Sequence, residues 1–171
     1  MAWNKDLISI TNAVIRNFTI SASVQITSSS TPFLLTTCYG PVDEARKDEV
    51  LAELQEIRPS VTQPWLVIGD FNLIHQASDK YNLNLNRRMM GKFRRILDNC
   101  ELMELALQNR KFSWSNERVS PTMVRLDRAF CSTEWETAFP NFTLSALSTG
   151  ASDHCPLILS RQDRVPRKAV F

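Results

Sequence analysis

Between positions 17 and 27, every even-numbered residue is apolar and every odd-numbered residue is polar. Because side chains alternate between the two faces of a strand, this pattern predicts a half-buried strand with one face in water. Ser28–Ser30 then supplies a turn, and the apolar, threonine-rich run Phe33–Tyr39 predicts a second strand that ends at Gly40. Together the two strands predict a β-hairpin.

Apolar residues return at helical spacing in two longer segments. The first helix is expected to begin after Asp43, which supplies an N-cap, and to end near Ile57, with Glu53 away from the apolar stripe. A second helix is expected from about residue 88 to residue 100. A short helix is expected over residues 133–139.

A compact apolar run, Trp65–Ile68, precedes Gly69 and predicts a buried strand. Shorter strands are expected at 112–114, 124–131 and 156–159, and the asparagine-rich stretch 75–88 reads as a long polar loop. Strands and helices are mixed along the chain, which predicts one α/β domain over residues 1–160. Residues 161–171 are basic and are interpreted as a tail or linker.

Length and charge place few limits on function. The chain has 171 residues, enough for one domain with a core, and its net charge of +2 favours no class of partner. No apolar stretch is long enough to cross a membrane and no signal peptide begins the chain, so we expect an intracellular protein, nuclear or cytoplasmic. The four cysteines are far apart in sequence and are expected to be reduced thiols.

Polar residues that could carry chemistry stand at the predicted strand ends. Asp70 and Asn72 follow the buried strand and, in an extended chain, would face the same point. Asp153 offers hard oxygen atoms suited to Mg²⁺ or Mn²⁺, and His154 could contact a phosphate. Such a histidine needs a carboxylate behind it, and Asp127 could serve. With the hydroxyl of Tyr39, these groups are the parts of metal-assisted phosphodiester hydrolysis.

Each of these residues also has a purely structural interpretation. Asp127 could instead pair with Arg125 or Arg128, and Tyr39 could be an amphipathic core residue. His75 lies in a polar loop and is interpreted as exposed, without a role. The basic run of the second helix is interpreted as a solvated face, with contacts to DNA phosphates as the alternative; its arginines are Arg87, Arg88, Arg94 and Arg95.

Taken in order, Tyr39, Gly69-Asp70-Phe71-Asn72, Leu126-Asp127 and Ser152-Asp153-His154 resemble the motifs of the endonuclease/exonuclease/phosphatase family. The segments 86–95, 112–116 and 125–130 most resemble the endonuclease domain of plant LINE-type, non-LTR retrotransposons. The resemblance implies a deoxyribonuclease-like fold, in which a two-sheet β-sandwich is flanked by helices in four layers. It also implies a divalent-metal-dependent DNA endonuclease that was originally fused to a reverse transcriptase.

The resemblance also implies a role for each matching residue. Asp70 would activate or orient the attacking water, with Asn72 holding the water or phosphate. Asp153 would associate with the metal, and His154 would contact the phosphate while Asp127 orients it. Tyr39 would also contact the phosphate. Trp114 would be an aromatic side chain near the pocket that could contact nucleic acid, with packing in the core as the alternative interpretation.

The resemblance is incomplete at its start. The family's N-terminal strand, which ends in an asparagine, and the glutamate that follows as main metal ligand have no match in this sequence. The chain is therefore expected to be an N-terminally truncated domain with weakly bound Mg²⁺ or Mn²⁺ and little or no activity. A non-catalytic retroelement remnant that binds nucleic acid or a partner, or a phosphatase of the same fold, are the alternatives.

Overall fold

The computed structural model describes residues 4–82, 84–116 and 118–161. In these segments the strands are β1 (Ile8–Ile15), β2 (Thr19–Ile26), β3 (Phe33–Tyr39), β4 (Trp65–Asp70), β5 (Met103–Glu104), β6 (Trp114–Ser115), β7 (Met123–Val124), β8 (Asp127–Cys131), β9 (Phe142–Ala146) and β10 (Leu157–Arg161). Six of them form one sheet in the order β1-β2-β3-β4-β8-β5, in which only β3 and β4 are parallel neighbours. Two smaller antiparallel sheets pair β9 with β10 and β6 with β7.

The described helices are α1 (Lys47–Ile57), α2 (Arg87–Asn99) and α3 (Thr133–Ala138). Asp43 caps a short 3-10 turn that leads into α1, and its Oδ1 accepts a hydrogen bond from the Ala45 amide. Asn86 caps α2 and Ser132 caps α3 in the same way. The three predicted helices are therefore confirmed. In the part of the chain that the structure describes, no helix has the length and apolar character needed to span a membrane.

Both faces of the six-stranded sheet are covered. On one face α1 and α2 bury Trp65 and Val67 together with Phe71, Phe93 and Phe130. On the other face α3 and the β9-β10 pair cover Leu66, and Trp135 and Phe139 pack there against the ring of Phe33. This layered α/β arrangement agrees with the predicted sandwich fold.

The polar face of β2 is buried at Thr19 and Ser21 and half-buried at Ser23 and Gln25, so the prediction of a strand with one wet face is wrong. Thr19 and Ser21 are only 2% and 7% exposed because α1 lies over them. Glu53 of α1, expected on the solvated side, is also buried and accepts hydrogen bonds from the Thr19 hydroxyl at 2.5 Å and from the Phe18 amide. The Ser21 hydroxyl bonds to that of Thr36 at 2.9 Å, so these polar side chains satisfy one another.

The strand predicted at 124–131 divides into β7 and β8, which belong to different sheets. The division falls at Arg125 and Leu126, whose backbones bond to the segment around Asp79 and to Phe71. Strands β1, β5 and β9 were not predicted. The tail was expected to begin at Arg161, which instead ends β10, and residues 162–171 lie outside the described residues.

Candidate active site

Asp70 is the last residue of β4, and the chain folds back directly after it. Asn72 has a φ of 50°, and its backbone N–H donates to Asp70 Oδ1 at 2.9 Å. The Asn72 side-chain amide donates to Asp70 Oδ2 at 3.0 Å and to the Gly40 carbonyl at 2.9 Å. The two side chains therefore meet as predicted, but a left-handed turn brings them together, whereas strand alternation was the expected cause.

Two glycines allow the ends of β3 and β4 to approach this closely. A Cβ atom at Gly69, whose φ is 146°, would lie 1.9 Å from the carbonyl oxygen of Cys38. A Cβ atom at Gly40 would lie 2.1 Å from the carbonyl oxygen of Phe71. The Gly40 amide is then free to donate to the Asp70 carbonyl at 2.7 Å, which fixes the backbone that carries the carboxylate.

Asp127 begins β8 and lies directly opposite Asp70 in the antiparallel β4-β8 register. Residues opposite each other in such a pair place their side chains on the same face. His154 reaches this point from the loop between β9 and β10, and its Nδ1 lies 2.9 Å from Asp127 Oδ2. The structure thus confirms the predicted juxtaposition of aspartate and histidine, and it excludes the alternative in which Asp127 pairs with a neighbouring arginine, because Arg125 and Arg128 bind Glu104 instead.

The electrostatics of the pair follow from this packing. Burial alone would lower the pKa of His154, but the hydrogen bond and charge of Asp127, with the charges of Asp70 and Asp153, raise it above its ordinary value. Burial raises the pKa of Asp70, the Asn72 amide opposes that rise, and the Asp127 carboxylate adds to it. The imidazolium form of His154 is therefore favoured, whereas the negative charge of Asp70 is poorly compensated.

Asp70, Asp127 and His154 each offer a ligand atom within 4.8 Å of the other two. Carboxylate oxygen atoms are the donors that hard divalent cations prefer. A nearby cation would also lower the raised pKa of Asp70, because it would stabilise the charged carboxylate. The donor set therefore fits a divalent metal ion, with the His154 Nδ1 already engaged by Asp127. This cluster contains Asp127 and not Asp153, the metal ligand expected from the sequence.

Asp153 and Trp114 form a contact of their own beside the cluster. The indole Nε1 of Trp114 donates to Asp153 Oδ2 at 2.8 Å, and Asp153 is exposed. Tyr39 lies opposite Asp70 in the parallel β3-β4 register and is 70% exposed, so it is not a core residue. Its side chain stands at the same edge of the sheet as the cluster.

A cavity of about 560 Å³ opens beside Asn72. Its walls include the apolar side chains of Met89 and Trp114, the cationic Lys47 and Lys80, and the anionic Glu44, which forms an ion pair with Lys47. The sequence did not single out either lysine, since neither belongs to a motif.

All four arginines predicted for nucleic-acid contact are exposed on α2. Arg87 and Arg88 belong to the first turn of this helix, whose cap residue Asn86 and whose Met89 line the cavity. Arg94 and Arg95 lie about 10 Å further along, since each residue advances a helix by about 1.5 Å.

His75, expected to be exposed and without a role, is half-buried and bonded. Its Nδ1 lies 3.2 Å from Glu104, and its ring packs edge-on against Phe93 and Phe130. It belongs to a charged network behind β8 that the sequence did not predict. The centre of that network is the fully buried Arg128, which binds Asp79 and Glu104, each at 2.5 Å.

Comparisons with known proteins agree with the fold. Residues 8–154 match the family model described as the endonuclease/exonuclease/phosphatase family. Among solved structures, the chain is similar to the endonuclease domain of TRAS1, a telomere-specific non-LTR retrotransposon, with a TM-score of 0.68 and 13% identity. That alignment covers 95% of this chain and 72% of the other. A search of curated proteins gave no match.

Two further solved structures show the same fold. One is TDP2 of D. rerio in complex with a single-strand DNA product, with a TM-score of 0.58, 16% identity and coverage of 91% of this chain and 68% of that one. The other is a mannosyl-6-phosphatase of Bacteroides thetaiotaomicron, with a TM-score of 0.59, 15% identity and coverage of 92% and 68%. At these identities the likeness establishes the fold alone.

The layered arrangement of sheets and helices is a deoxyribonuclease-like fold, which the similar nuclease and phosphatase structures share. The Asp127-His154 pair lies at the edge of its six-stranded sheet. The match over residues 8–154 gives the particular family: the chain belongs to the endonuclease/exonuclease/phosphatase family.

Proposed function

We propose that this protein is a divalent-metal-dependent phosphodiester hydrolase that cleaves DNA, of the kind carried by non-LTR retrotransposons. The observation that carries the proposal is the Asp127-His154 pair, 2.9 Å apart, next to the Asp70 carboxylate that Asn72 holds. His154, held by Asp127, can bind and protonate a phosphate oxygen. Asp70, held by Asn72, can accept a proton from water.

Asp70 is the group that orients or deprotonates the attacking water. Both of its oxygen atoms accept a hydrogen bond from Asn72, which fixes the orientation of the carboxylate. The two side-chain N–H groups of Asn72 donate to Asp70 and to the Gly40 carbonyl, so its Oδ1 is the atom that can accept a hydrogen bond from the water. Exchanging the amide oxygen and nitrogen would set an oxygen against the Asp70 carboxylate, so this orientation is the favourable one.

His154 contacts the phosphate. Because Nδ1–H donates to Asp127, Nε2 is the nitrogen that faces the substrate, and Asp127 fixes this tautomer. The raised pKa keeps His154 protonated to a higher pH than a free imidazole, so it can donate a hydrogen bond to a phosphate oxygen as negative charge accumulates. Tyr39 stands at the same sheet edge and is a second candidate for this contact.

Asp70 of the cluster would hold Mg²⁺ or Mn²⁺, and we propose the exposed Asp153, which lies beside the cluster and not in it, as a second ligand. When bound, the cation would neutralise charge on the phosphate. Mg²⁺ sites are usually completed by water and by the substrate's own phosphates, and both Asp70 oxygens are already engaged by Asn72. We therefore expect the metal to bind weakly without DNA, and turnover to be slow.

The surroundings of the cluster support a nucleic-acid substrate. The cavity beside Asn72 combines apolar walls with Lys80 and the Lys47-Glu44 ion pair, and Lys80 is the cation that would contact a phosphate joined to a sugar or base. The exposed arginines of α2 begin at the rim of this cavity and continue away from it. The similarity to a retrotransposon endonuclease domain and to TDP2 in complex with a single-strand DNA product favours DNA as that substrate.

Nicking of supercoiled plasmid tests the proposal. The assay contains an excess of Mg²⁺ or Mn²⁺, because the metal is expected to bind weakly. Slow conversion to the nicked circle is expected, and it should be lost with EDTA and in the variants Asp70→Asn and His154→Ala. Asp48→Asn, which changes an exposed carboxylate on α1, is the matched control and should nick like the wild type. Nicking that survives both site substitutions would refute the proposal.

A phosphatase of the same fold is the second candidate, since one similar structure is a sugar-phosphate phosphatase. Hydrolysis of p-nitrophenyl phosphate without plasmid nicking would favour it. Salt-dependent DNA binding that is unchanged in Asp153→Ala, with neither hydrolysis, would instead favour a protein that binds nucleic acid without chemistry.

A further inference from the structure

Ser113 is a fully buried residue in the segment that leads into β6. Its Oγ accepts hydrogen bonds from two successive backbone amides, Leu126 at 3.0 Å and Asp127 at 2.9 Å. These amides lie where the chain leaves β7 and enters β8. Ser113 Oγ therefore accepts the backbone N–H of Asp127, the residue whose carboxylate bonds to His154.

The backbone of the same residue is bonded to the histidine loop. The Ser113 carbonyl accepts from the Cys155 amide at 2.7 Å, directly after His154 in the chain. One residue further on, Trp114 pairs with His154 as an isolated antiparallel bridge, and the Ser115 amide donates to the Asp153 carbonyl at 3.1 Å. The segment beginning at Ser113 is thus bonded on one side to the Asp127 strand and on the other to the His154 loop.

We propose that Ser113 is a positioning residue that sets the Asp127-His154 pair. Asp127 and His154 are 27 positions apart and belong to different sheets or loops, and Ser113 bonds directly to the backbone at both places. The catalytic part of this inference rests on the function proposed above. The geometric part concerns the pair alone and can be measured in an inactive protein.

A hydroxyl is required here for a simple reason. Its oxygen has two lone pairs, which receive the two amides, and an alanine would leave both part-buried N–H groups without this acceptor. The chain can recover those bonds only if residues 126 and 127 move toward another acceptor or toward water. Either movement carries the Asp127 carboxylate away from His154 Nδ1.

A matched control exists at the other end of β8. Ser132 is 7% exposed, and its Oγ also accepts two backbone amides, from Trp65 at 3.2 Å and Trp135 at 3.3 Å. It lies five residues from Asp127, about 17 Å along an extended strand. Ser132→Ala removes the same kind of hydrogen bonds without approaching the candidate active site.

The decisive measurement is the tautomer of His154, read from long-range ¹H–¹⁵N correlation of the full chain labelled with ¹⁵N-histidine. The chain has two histidines, so His75 is a reference within each spectrum. At a pH where the ring is neutral, the wild type should show only the Nδ1–H form of His154. Ser113→Ala should show a mixture of tautomers, while Ser132→Ala and Ser113→Thr, which keeps the hydroxyl, should match the wild type.

Plasmid nicking adds the catalytic readout. Ser113→Ala should lower kcat by roughly 10- to 100-fold with little change in KM, because misplacing a catalytic group by about 1 Å costs on the order of 100-fold. Ser113→Thr should restore kcat. Ser113→Cys, which keeps the volume but accepts hydrogen bonds weakly, takes the place of Ser113→Ala if alanine prevents folding.

An unchanged His154 tautomer in folded Ser113→Ala, or the same change in Ser132→Ala, would overturn the inference. A wild type that shows the predicted tautomer but cleaves no DNA would refute the proposed function and leave the positioning role supported.

Discussion

Removal of Asp79 should destabilise the protein far more than removal of an exposed aspartate. The Asp79 side chain is 3% exposed and its Oδ2 lies 2.5 Å from the guanidinium of Arg128, which is fully buried. The same carboxylate accepts the backbone amides of His75 and Gln76. Asp79→Ala would thus leave a buried cation with a single remaining carboxylate partner, Glu104, and would free two amides.

The size of the effect follows from the burial. Removing one partner of a buried ion pair costs about 3 to 5 kcal/mol, because the other charge stays out of water. For a domain of this size, about 1 kcal/mol corresponds to a shift in Tm of roughly 2 to 4 °C, so Tm should fall by roughly 6 to 20 °C. Such a loss is a large part of the 5 to 15 kcal/mol that typically separates folded and unfolded states.

Urea unfolding followed by tryptophan fluorescence measures this loss, since Trp65 and Trp135 are both buried. Asp48→Ala is the control, because Asp48 pairs with Lys92 at 2.5 Å but is 59% exposed. Exposed pairs of this kind contribute about 0 to 1 kcal/mol. Equal midpoints for Asp79→Ala and Asp48→Ala would refute the reasoning that the network behind β8 is desolvated.

Three further predictions concern the site. Asp127→Asn should lower the pKa of His154 in an NMR titration. Because the pKa of His154 is raised in the folded state, the stabilisation by Asp127 is complete below the unfolded pKa of about 6.5 and is lost as pH rises through the folded pKa. In urea unfolding, the substitution should therefore reduce the free energy of unfolding more at pH 6 than at pH 9. Gly69→Ala should strongly destabilise the fold, since its Cβ would overlap the Cys38 carbonyl, whereas Gly91→Ala in α2 has free space and should stabilise by about 0.4 to 1 kcal/mol in the same assay. Replacing Arg87 by alanine should weaken DNA binding and reduce its salt dependence by about one phosphate contact, and an unchanged slope would contradict a role in binding.

Local patterns predicted well those elements whose partners are close in sequence. The β2-β3 hairpin and the three helices were expected from periodicity and capping residues, and the structure confirms them. Strand β1 was missed because its alternation is interrupted: Asn12 has a φ of 53°, and the register with β2 shifts between Thr11 and Val14. A bulge of this kind moves later side chains to the opposite face, which removes the period of two from the sequence.

Burial of polar residues could not be inferred from their type. Thr19 and Ser21 look solvated in the sequence, yet they are covered because Glu53 approaches from α1, more than thirty positions away. The same holds for Asp79 in its polar loop, which pairs with Arg128 at a separation of 49 residues. The packing of the helices against the sheet determines which groups become hydrogen-bond partners. The sequence shows only that each buried polar group needs a hydrogen-bond partner.

The predicted reverse-transcriptase fusion and the plant origin stay predictions.

The two interpretations of Asp127 show where the limit of sequence reasoning lay. Adjacent residues of a strand point to opposite faces, so an ion pair between Asp127 and Arg128 was already disfavoured once both were assigned to one strand. The structure shows this separation: Asp127 faces His154, whereas Arg128 faces Asp79 and Glu104 on the other side of the sheet. Arg125 was harder to exclude, because residues two apart share a face in a continuous strand. Only the break between β7 and β8 removes that pairing. At the break the Ser113 hydroxyl accepts the amides of Leu126 and Asp127, a contact that no periodicity in the sequence could reveal.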